Sequence, residues 1–563
     1  MSPKRLDRRA LLARACSLGG LAALNGWRLP ALRGDCPWQA HLDRDLRPLT
    51  PIAEHVMARG RRGMVSSSHP LATEAAVCAL EKGGTAADAY LTAAFAQTVL
   101  EPPMTTLAGA LGITYFESRT GLLHQGGGGF TSPAAETAEW TEADSITGRA
   151  VLVPGWVRGA ELIHKRFGKL SWADLIEPAI EFAERGFIID HLLWGWTYEA
   201  KNFAGRFPEG QRVWFPNGRM LGVGDRLRQP ELATTLKRLR DEGPDYFYTG
   251  EWGQKFVAAV RRLGGRVTAD DLRSYKSRGF AEPWMPGSGK GLATASYRGY
   301  EVGPPSLAMF GLAFNLLEAG DLRARGRPTE NADSLYYLMR IMQEIWHTGH
   351  LYRPETHDLF VSKEYARQIW RVIESGPPRP FEGFAEGTCG LTVVDSEGNV
   401  AGGTHSSSST AYGTGLFVEG VILNRVIYLR KYKVPSGIST NVWLFKDGKP
   451  ALTLATPSRA FTENLLQNVA NIVEYGMDLR TSVTQPRFGH PDPQFGVTQI
   501  EGSFPGELVA KVRKRGMSLI EVSPQNVYMG SCHAVQLDPV TREVTGVADP
   551  RRRGMAKGLG LVP

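Results

Sequence analysis

The sequence predicts an α+β fold. Amphipathic helical patterns dominate the first two thirds of the chain, whereas alternating, β-branched strand patterns concentrate after residue 388. At 563 residues the chain exceeds one ordinary domain, yet a helical part wrapped on a β-rich core can form one compact unit. Its 42% hydrophobic and 22% charged residues are typical of a soluble globular protein.

Helical periodicity is clearest at residues 86–100, where a Thr85-x-x-Asp88 capping box opens the segment after a Gly83-Gly84 stop. The predicted helices are 70–81, 86–100, 157–167, 172–184, 231–240, 306–319, 333–347 and 461–474. Because most of them precede residue 350, the first part of the chain is predicted to be largely helical.

Strand patterns are short and alternate in polarity. The predicted strands are 113–116, a hairpin over 391–404, 442–445 and 452–455, with further candidates near Val497, Ala534 and Val544. The hairpin is the most specific of these, because turn-forming residues 395–399 separate two β-branched runs.

The register of this hairpin brings two hydroxyl side chains together. Pairing centred on Glu397 places Val394 opposite Val400 and Thr388 opposite Ser406. Cross-strand β-carbons in such a pair lie about 5 Å apart. The alternation of a strand turns the neighbouring Cys389 to the opposite face, where we expect it to pack.

Thr388 is a candidate nucleophile. A threonine hydroxyl needs a base to take its proton, and a free α-amino group on the same residue, with a pKa of about 7.7 to 8.0, can do so. That amine exists only if the bond between Gly387 and Thr388 is cut. The connector at 381–387, rich in glycine and glutamate, is typical of a flexible segment that such a cleavage needs. The alternative is that Thr388 merely begins an ordinary strand.

The N-terminus predicts export. The run DRRALL at 7–12 precedes a short, weakly apolar stretch at 15–24, as in a twin-arginine signal. A basic disordered leader is the alternative, because Arg14 interrupts the apolar stretch. No later run reaches the roughly 18 apolar residues of a membrane span. We therefore expect a periplasmic protein with no stable membrane span.

Other classes of site are not indicated. The net charge of +8 lacks the aromatic and basic interleaving of a nucleic-acid surface, so no nucleic-acid partner is expected. The glycines at 126–129 and 287–289 match no dinucleotide or phosphate motif. His347, His350 and His357 with Glu355 are interpreted as polar residues at a helix end, so neither a metal nor a cofactor is expected. The five cysteines show no paired spacing, and a disulfide framework is not expected.

Seven further motifs occur in a fixed order over five hundred residues: GMVSSSHPLA at 63–72, GGTAADA at 83–89, VLEP at 99–102, VPGWVRG at 153–159, PAIEFAERGF at 178–187, QPRF at 485–488 and GVADPRR at 546–552. With the hairpin at Thr388, they make the chain resemble the γ-glutamyltransferase family, self-processing enzymes of the N-terminal nucleophile hydrolase superfamily. The resemblance covers residues from about 62 to 561.

This resemblance implies a four-layer αββα sandwich with a largely helical large subunit. It implies a precursor that cleaves itself between Gly387 and Thr388, after a leader at 1–40, into a large subunit (41–387) and a small subunit (388–563). Thr388 would attack an amide carbonyl to form an acyl-enzyme that water or an amine resolves. Ser406 corresponds to the family's hydroxyl residue that hydrogen-bonds to the nucleophile.

The departures from the family pattern concern the substrate. The arginine that binds a glutamyl α-carboxylate has no counterpart at 125–131, and the aspartate that holds the α-amino group falls where this chain has 424–429, NRVIYL. Without these charges the site forfeits charge-assisted bonds of about 1.5 to 3 kcal/mol each. Glutathione is therefore a doubtful substrate.

Two further departures lie near the oxyanion. The family's Pro-Gly-Gly-Ser turn becomes Pro457-Ser458-Arg459-Ala460, where backbone N–H groups of Ser458 and Arg459 could still form the oxyanion hole. Arg459 could add an anion contact or simply lie at the surface of a helix start. Ser408 occupies the position of a family asparagine, as a substrate contact or as part of a polar loop.

These observations predict an N-terminal threonine hydrolase or acyltransferase that cleaves an amide bond of a small acyl substrate, γ-glutamyl or other. Two alternatives use the same fold: a non-catalytic binding protein, and a hydrolase of a carbon-carbon bond in an acyl substrate.

Overall fold

The computed structural model describes residues 55–560, apart from 138, 278, 290–293, 305–306, 350, 380–387, 409–410, 428–440, 458–459 and 493–495. The predicted leader at 1–40, His350, the connector at 381–387, Ser458 and Arg459 lie outside the described residues.

The strands of the described chain are short and mostly antiparallel. They are β1 (Met57–Gly60), β2 (Gly63–Ser67), β3 (Ala110–Glu117), β4 (Leu122–Gly128), β5 (Phe187–Ile188), β6 (Arg226–Leu227), β7 (Ala295–Tyr297), β8 (Tyr300–Gly303), β9 (Cys389–Val394), β10 (Val400–Ser406), β11 (Phe417–Val418), β12 (Val421–Ile422), β13 (Asn441–Lys446), β14 (Lys449–Ala455), β15 (Phe488–Asp492), β16 (Val497–Glu501), β17 (Leu519–Val522), β18 (His533–Leu537), β19 (Val544–Ala548) and β20 (Met555–Leu559).

The α-helices concentrate before residue 380. They are α1 (Pro70–Glu81), α2 (Ala86–Leu100), α3 (Trp156–Phe167), α4 (Trp172–Arg185), α5 (His191–Glu199), α6 (Lys201–Ala204), α7 (Pro208–Trp214), α8 (Pro230–Glu242), α9 (Asp245–Tyr248), α10 (Glu251–Arg262), α11 (Ala269–Ser274), α12 (Leu307–Ala319), α13 (Leu322–Arg325), α14 (Ala332–Gly349), α15 (His357–Phe360), α16 (Lys363–Ser375), α17 (Phe461–Val473), α18 (Leu479–Thr484) and α19 (Gly506–Lys514). Single 3₁₀ turns occur at Glu142–Ile146, Gly148–Ala150, Pro216–Gly218, Pro354–Thr356, Val527–Met529 and Pro550–Arg552.

Two large sheets form the centre of the molecule. One has seven strands in the order β1-β19-β18-β14-β13-β8-β7, and the other has six in the order β20-β2-β9-β10-β3-β4. Side chains from both sheets meet in one apolar cluster, with Met64, Val394 and Val400 from one and Trp443 and Val535 from the other. The sheets are therefore stacked face to face.

Helices cover the outer face of each sheet. Helices α1 to α4 share a core with Val65, Leu391 and Val393 of the six-stranded sheet. Helices α12, α14 and α17 share another with Leu444 and Leu454 of the seven-stranded sheet. The order of layers is thus αββα, and the predicted four-layer fold is confirmed.

Local signals located the helices well. All eight predicted helices are present, with described ends within two residues of the expected positions, and Thr85 and Asp88 form the predicted reciprocal capping box at the start of α2. Cys78, within α1, is disulfide-bonded, which the cysteine spacing did not predict. Among the described residues, no helix combines the length and apolar character needed to cross a membrane.

Candidate active site

Thr388 immediately precedes β9 and is half-buried. The β9–β10 hairpin pairs Val394 with Val400 and Cys389 with His405, which is the predicted register. One step further, Thr388 lies opposite Ser406, and the two hydroxyl oxygens are 3.0 Å apart. The structure therefore brings the Thr388 and Ser406 side chains together, as the predicted register requires.

Ser406 is held by the turn that follows it. The Ser408 amide donates a 2.8 Å hydrogen bond to the Ser406 hydroxyl oxygen, and Ser408 has a left-handed φ of 47°. Because Ser406 accepts from this amide, its hydroxyl hydrogen can point at Thr388 Oγ1. Ser408 is buried, and its backbone amide makes the contact with Ser406.

Cys389 lies on the other face of β9, as strand alternation predicts. Its thiol is buried and lies 3.5 Å from Glu101 Oε2. Burial, reinforced by the Glu101 carboxylate, raises the pKa of the Cys389 thiol well above its ordinary value. A thiol that stays protonated is a poor nucleophile, so Cys389 does not compete with Thr388.

A buried hydrogen-bonded network supports β9 and β10 from the helical layer. Glu101 accepts hydrogen bonds from Ser68 Oγ (2.6 Å) and Gln97 Nε2 (3.0 Å). Gln97 Oε1 in turn lies 2.7 Å from Nε2 of His405, the neighbour of Ser406. Burial lowers the pKa of His405 to about 3, so its ring is neutral and serves as a fixed partner.

Pro457, the first residue of the segment that the resemblance assigns to the oxyanion, lies beside the start of β9. A β-carbon added to Gly390 would be 3.0 Å from Pro457 Cδ, so Gly390 permits the close approach of Pro457. Helix α17 begins at Phe461, directly after this segment. The roles of Ser458 and Arg459 themselves remain proposals.

Neighbouring groups pack closely against two of the glycines at 126–129. A β-carbon at Gly126 would lie 2.5 Å from Phe280 Cδ1, and one at Gly128 would lie 1.9 Å from the Gly155 carbonyl oxygen. Side chains cannot occupy these positions without moving backbone or an aromatic ring. Phe280 and the Gly155 carbonyl therefore leave no room for a side chain at Gly126 or Gly128.

The segment aligned with the family's second clamp residue, 424–429, carries no aspartate. Asn424 Nδ2 donates to the carbonyls of Ala108 (2.8 Å) and Leu152 (3.0 Å), and Arg425 Nε donates to the Ser145 carbonyl (2.7 Å). Both side chains thus tie loops together. Tyr428 and Leu429 lie outside the described residues.

Two of the sequence motifs meet in a buried ion cluster behind the site. Arg487 of QPRF bonds to Asp549 of GVADPRR at 2.5 Å, and Arg551 bonds to Glu501 at 2.7 Å and to Asp549 at 3.4 Å. Burial alone would raise the pKa of Asp549, but Arg487 and Arg551 outweigh it and hold the pKa below the ordinary value. Spacing alone could not predict this pairing of motifs 62 residues apart.

Glu463, in the first turn of α17, is a buried carboxyl that the sequence analysis missed. Its Oε1 accepts a 3.3 Å hydrogen bond from Trp346 Nε1, whereas Oε2 has no hydrogen-bond partner within the described part of the chain. Burial raises the pKa of Glu463 to about 7. The folded protein therefore prefers the neutral acid.

We expect Glu463 to make stability depend on pH. The folded pKa exceeds that of the unfolded chain, so stability is lost as pH rises between about 4.5 and 7. The loss amounts to roughly 3 kcal/mol at most, at 1.36 kcal/mol per pKa unit. Glu463→Gln should remove most of this dependence and stabilise the protein at pH 8, as measured by thermal unfolding from pH 5 to 8. Glu507→Gln, at an exposed first-turn position of α19, is the control; equal slopes in all three proteins would contradict the assignment.

Comparison with known proteins agrees with this geometry. The sequence model of the family described as Gamma-glutamyltranspeptidase matches residues 72–559. The glutathione hydrolase proenzyme of Bacillus subtilis (strain 168) is 28% identical over 558 residues, covering 89% of this chain and 92% of that protein. The Acylase ACY 1 proenzyme of Pseudomonas sp. (strain SE83) is 27% identical over 542 residues, covering 88% and 93%.

Among solved structures, cephalosporin acylase from Bacillus halodurans has a TM-score of 0.73 at 22% identity, covering 89% of this chain and 96% of that one. At this identity the likeness shows the fold. The family match, in contrast, spans most of the sequence. The chain therefore belongs to the γ-glutamyltranspeptidase family, as an amide hydrolase or acyltransferase with the N-terminal nucleophile hydrolase fold.

Proposed function

We propose that this protein is a self-processing hydrolase or acyltransferase whose nucleophile is Thr388. The observation that carries the proposal is the 3.0 Å contact between the Thr388 and Ser406 hydroxyls at the end of the hairpin. The relatives from Bacillus subtilis and Pseudomonas are named as proenzymes, which supports activation by cleavage.

Self-cleavage would separate residues 41–387 from 388–563. Thr388 Oγ1 attacks the Gly387 carbonyl carbon, the Gly387–Thr388 amide bond breaks, and an ester forms with a free Thr388 amine. Water then hydrolyses the ester, which leaves a carboxylate on Gly387 and restores the Thr388 hydroxyl. The products are two chains that stay together through the shared αββα core.

In turnover, the freed amine takes the proton from Thr388 Oγ1 as this oxygen attacks the substrate amide. Ser406 orients the hydroxyl, and backbone N–H groups of Ser458 and Arg459 stabilise the negative oxygen of the tetrahedral intermediate. The amine leaving group departs with the proton. Water or an amine acceptor then releases the acyl group from Thr388.

The substrate is proposed to be a small acyl amide that lacks the zwitterionic end of a γ-glutamyl group. Phe280 and the Gly155 carbonyl leave no room for a side chain at Gly126 or Gly128, and the sequence has no aspartate at 424–429. A zwitterion would therefore enter the site without its two charged partners. Arg459 is proposed to contact an anionic group on the acyl chain, and Ser408 to line the site.

Three anilides that share one leaving group test this proposal. We expect γ-glutamyl-p-nitroanilide to have no advantage over glutaryl-p-nitroanilide, which lacks the amino group, because each missing charge-assisted bond removes about 1.5 to 3 kcal/mol. The kcat/KM of the glutaryl anilide should exceed that of the butyryl anilide if Arg459 binds the free carboxylate. The measurement is kcat/KM from nitroaniline release, with Thr388→Ala as background. A hundredfold preference for γ-glutamyl over glutaryl would overturn the proposed substrate class.

We further propose that the protein is exported. The support is the DRRALL run and the short apolar stretch that follows it. Mature periplasmic protein that begins between about residues 23 and 40 is the expected product, given the usual length of such signals.

A further inference from the structure

Arg552 contacts the backbone of the proposed nucleophile. Its Nη1 donates a 3.2 Å hydrogen bond to the Thr388 carbonyl oxygen, and its Nε donates a 3.2 Å bond to the Val527 carbonyl oxygen. The face of the guanidinium lies 5.2 Å from the ring of Trp196 on α5. The 3₁₀ turn at Pro550–Arg552 thus reaches the residue that the proposed reaction uses.

The burial of Arg552 requires an explanation, because a charge taken out of water is costly unless it is paired. Arg552 is 4% exposed. Within the described ranges, salt bridges are formed by the buried Arg487 and Arg551 and by the half-buried Arg553, but none involves Arg552. Its described hydrogen bonds go to two carbonyl oxygens instead, and one of them belongs to Thr388.

We propose that Arg552 is a positioning residue for Thr388, which fixes the Thr388 backbone through its carbonyl and places a permanent positive charge next to the amine that cleavage releases. This inference rests on the proposed function. Holding the carbonyl restricts rotation about the Thr388 backbone, so the amine and the hydroxyl keep their mutual orientation. A nearby cation disfavours the ammonium form, so the amine remains a base at lower pH.

The titratable and charged groups described near this position include Glu101, Asp190, Glu199, Cys389, His405, Tyr528, His533, Asp549 and Arg553. The carboxylate of Glu101 attracts Arg552 and offsets part of its charge. Asp190 pairs with Arg553, and Asp549 pairs with two arginines.

Three of these groups are neutral. Burial lowers the pKa values of His405 and His533 to about 3 and raises the pKa of Cys389. Glu101 is bonded to Ser68, Gln97 and Cys389 on the helical side of β9. Arg552 is the cation whose hydrogen bond to the Thr388 carbonyl the structure describes.

The pH profile of kcat/KM tests the proposal in the matured protein, with the anilide that the wild type hydrolyses fastest. Arg552→Met should lower kcat about tenfold to a hundredfold, the typical effect of a misplaced reacting group, with KM changed less than about threefold. The acid limb of the kcat/KM profile, where protonation of the Thr388 amine lowers activity, should move up by about one pH unit in Arg552→Met. Arg552→Lys keeps the charge and should leave the acid limb in place.

Arg553→Met is the control, because it removes a half-buried guanidinium from the adjacent position, where it pairs with Asp190. Its acid limb should match that of the wild type. The proposal would be overturned if Arg552→Met kept the wild-type acid limb and a kcat within twofold of the wild-type value. It would also be overturned if Arg553→Met shifted the acid limb as far as Arg552→Met does. Should Arg552→Met fail to fold, Arg552→Gln, which keeps a donor without the charge, carries the same prediction.

These outcomes remain separate from failure of the proposed function. If Thr388→Ala were active, the nucleophile assignment itself would fail. If Thr388→Ala is inactive and Arg552→Met behaves as the wild type, only the positioning role is lost.

Discussion

Replacing Thr388 with alanine should leave the chain uncut and lower kcat by a factor on the order of 10⁴ to 10⁶, the size seen when a catalytic nucleophile is removed. The substitution deletes the hydroxyl that would attack both the Gly387 carbonyl and the substrate. Thr388 is half-buried and precedes β9, so the fold should survive. Denaturing electrophoresis and nitroaniline release measure the two effects.

Two neighbouring substitutions show whether the effect belongs to the hydroxyl. Thr388→Ser keeps a hydroxyl and, after cleavage, an amine, so it should be processed and active. Cys389→Ala removes a buried thiol that lies against Glu101 and should also be processed. A Thr388→Ala protein that is cut and active, or a Cys389→Ala protein that is neither, would point to a different nucleophile.

Asp549→Asn should be among the most destabilising single changes in the described core, costing about 3 to 5 kcal/mol in the free energy of unfolding. Asp549 is fully buried, bonds to Arg487 at 2.5 Å and accepts the Cys532 amide at 2.9 Å. Removing its charge leaves the positive charges of Arg487 and Arg551 balanced by Glu501 alone within this cluster. Urea unfolding followed by tryptophan fluorescence measures the loss.

A surface ion pair provides the comparison. Arg513 and Glu521 are 3.1 Å apart with side chains 43% and 48% exposed, and exposed pairs contribute about 0.2 to 1 kcal/mol. Glu521→Gln should therefore shift the urea midpoint little. If Asp549→Asn were equally mild, the buried ion cluster would not stabilise the surrounding core.

The parts of the fold and site that sequence reasoning predicted are those fixed by local contacts. The β9–β10 hairpin joins residues close in sequence, so its turn sets the register and thereby the Thr388–Ser406 pair. The capping box of α2 spans four residues, 85–88. The layer order came from family resemblance, because helix and strand patterns do not show which sheet a strand joins.

The residues that sequence reasoning missed depend on contacts distant in the chain. Arg552 meets Thr388 across 164 positions, and Glu463 meets Trp346 across 117. No periodicity indicates that such a charged side chain is buried. Helix α5 was missed for a related reason: its aromatic run, HLLWGWTYE, lacks a clear polar face, and the residue it presents to Arg552 is Trp196.

The central claim is that the protein cuts its own backbone before Thr388. Intact-mass spectrometry of purified wild-type protein under denaturing conditions tests it most directly. Two chains are expected, one of which begins with Thr388 and ends at Pro563. A single uncut chain that still hydrolyses an acyl anilide would contradict it.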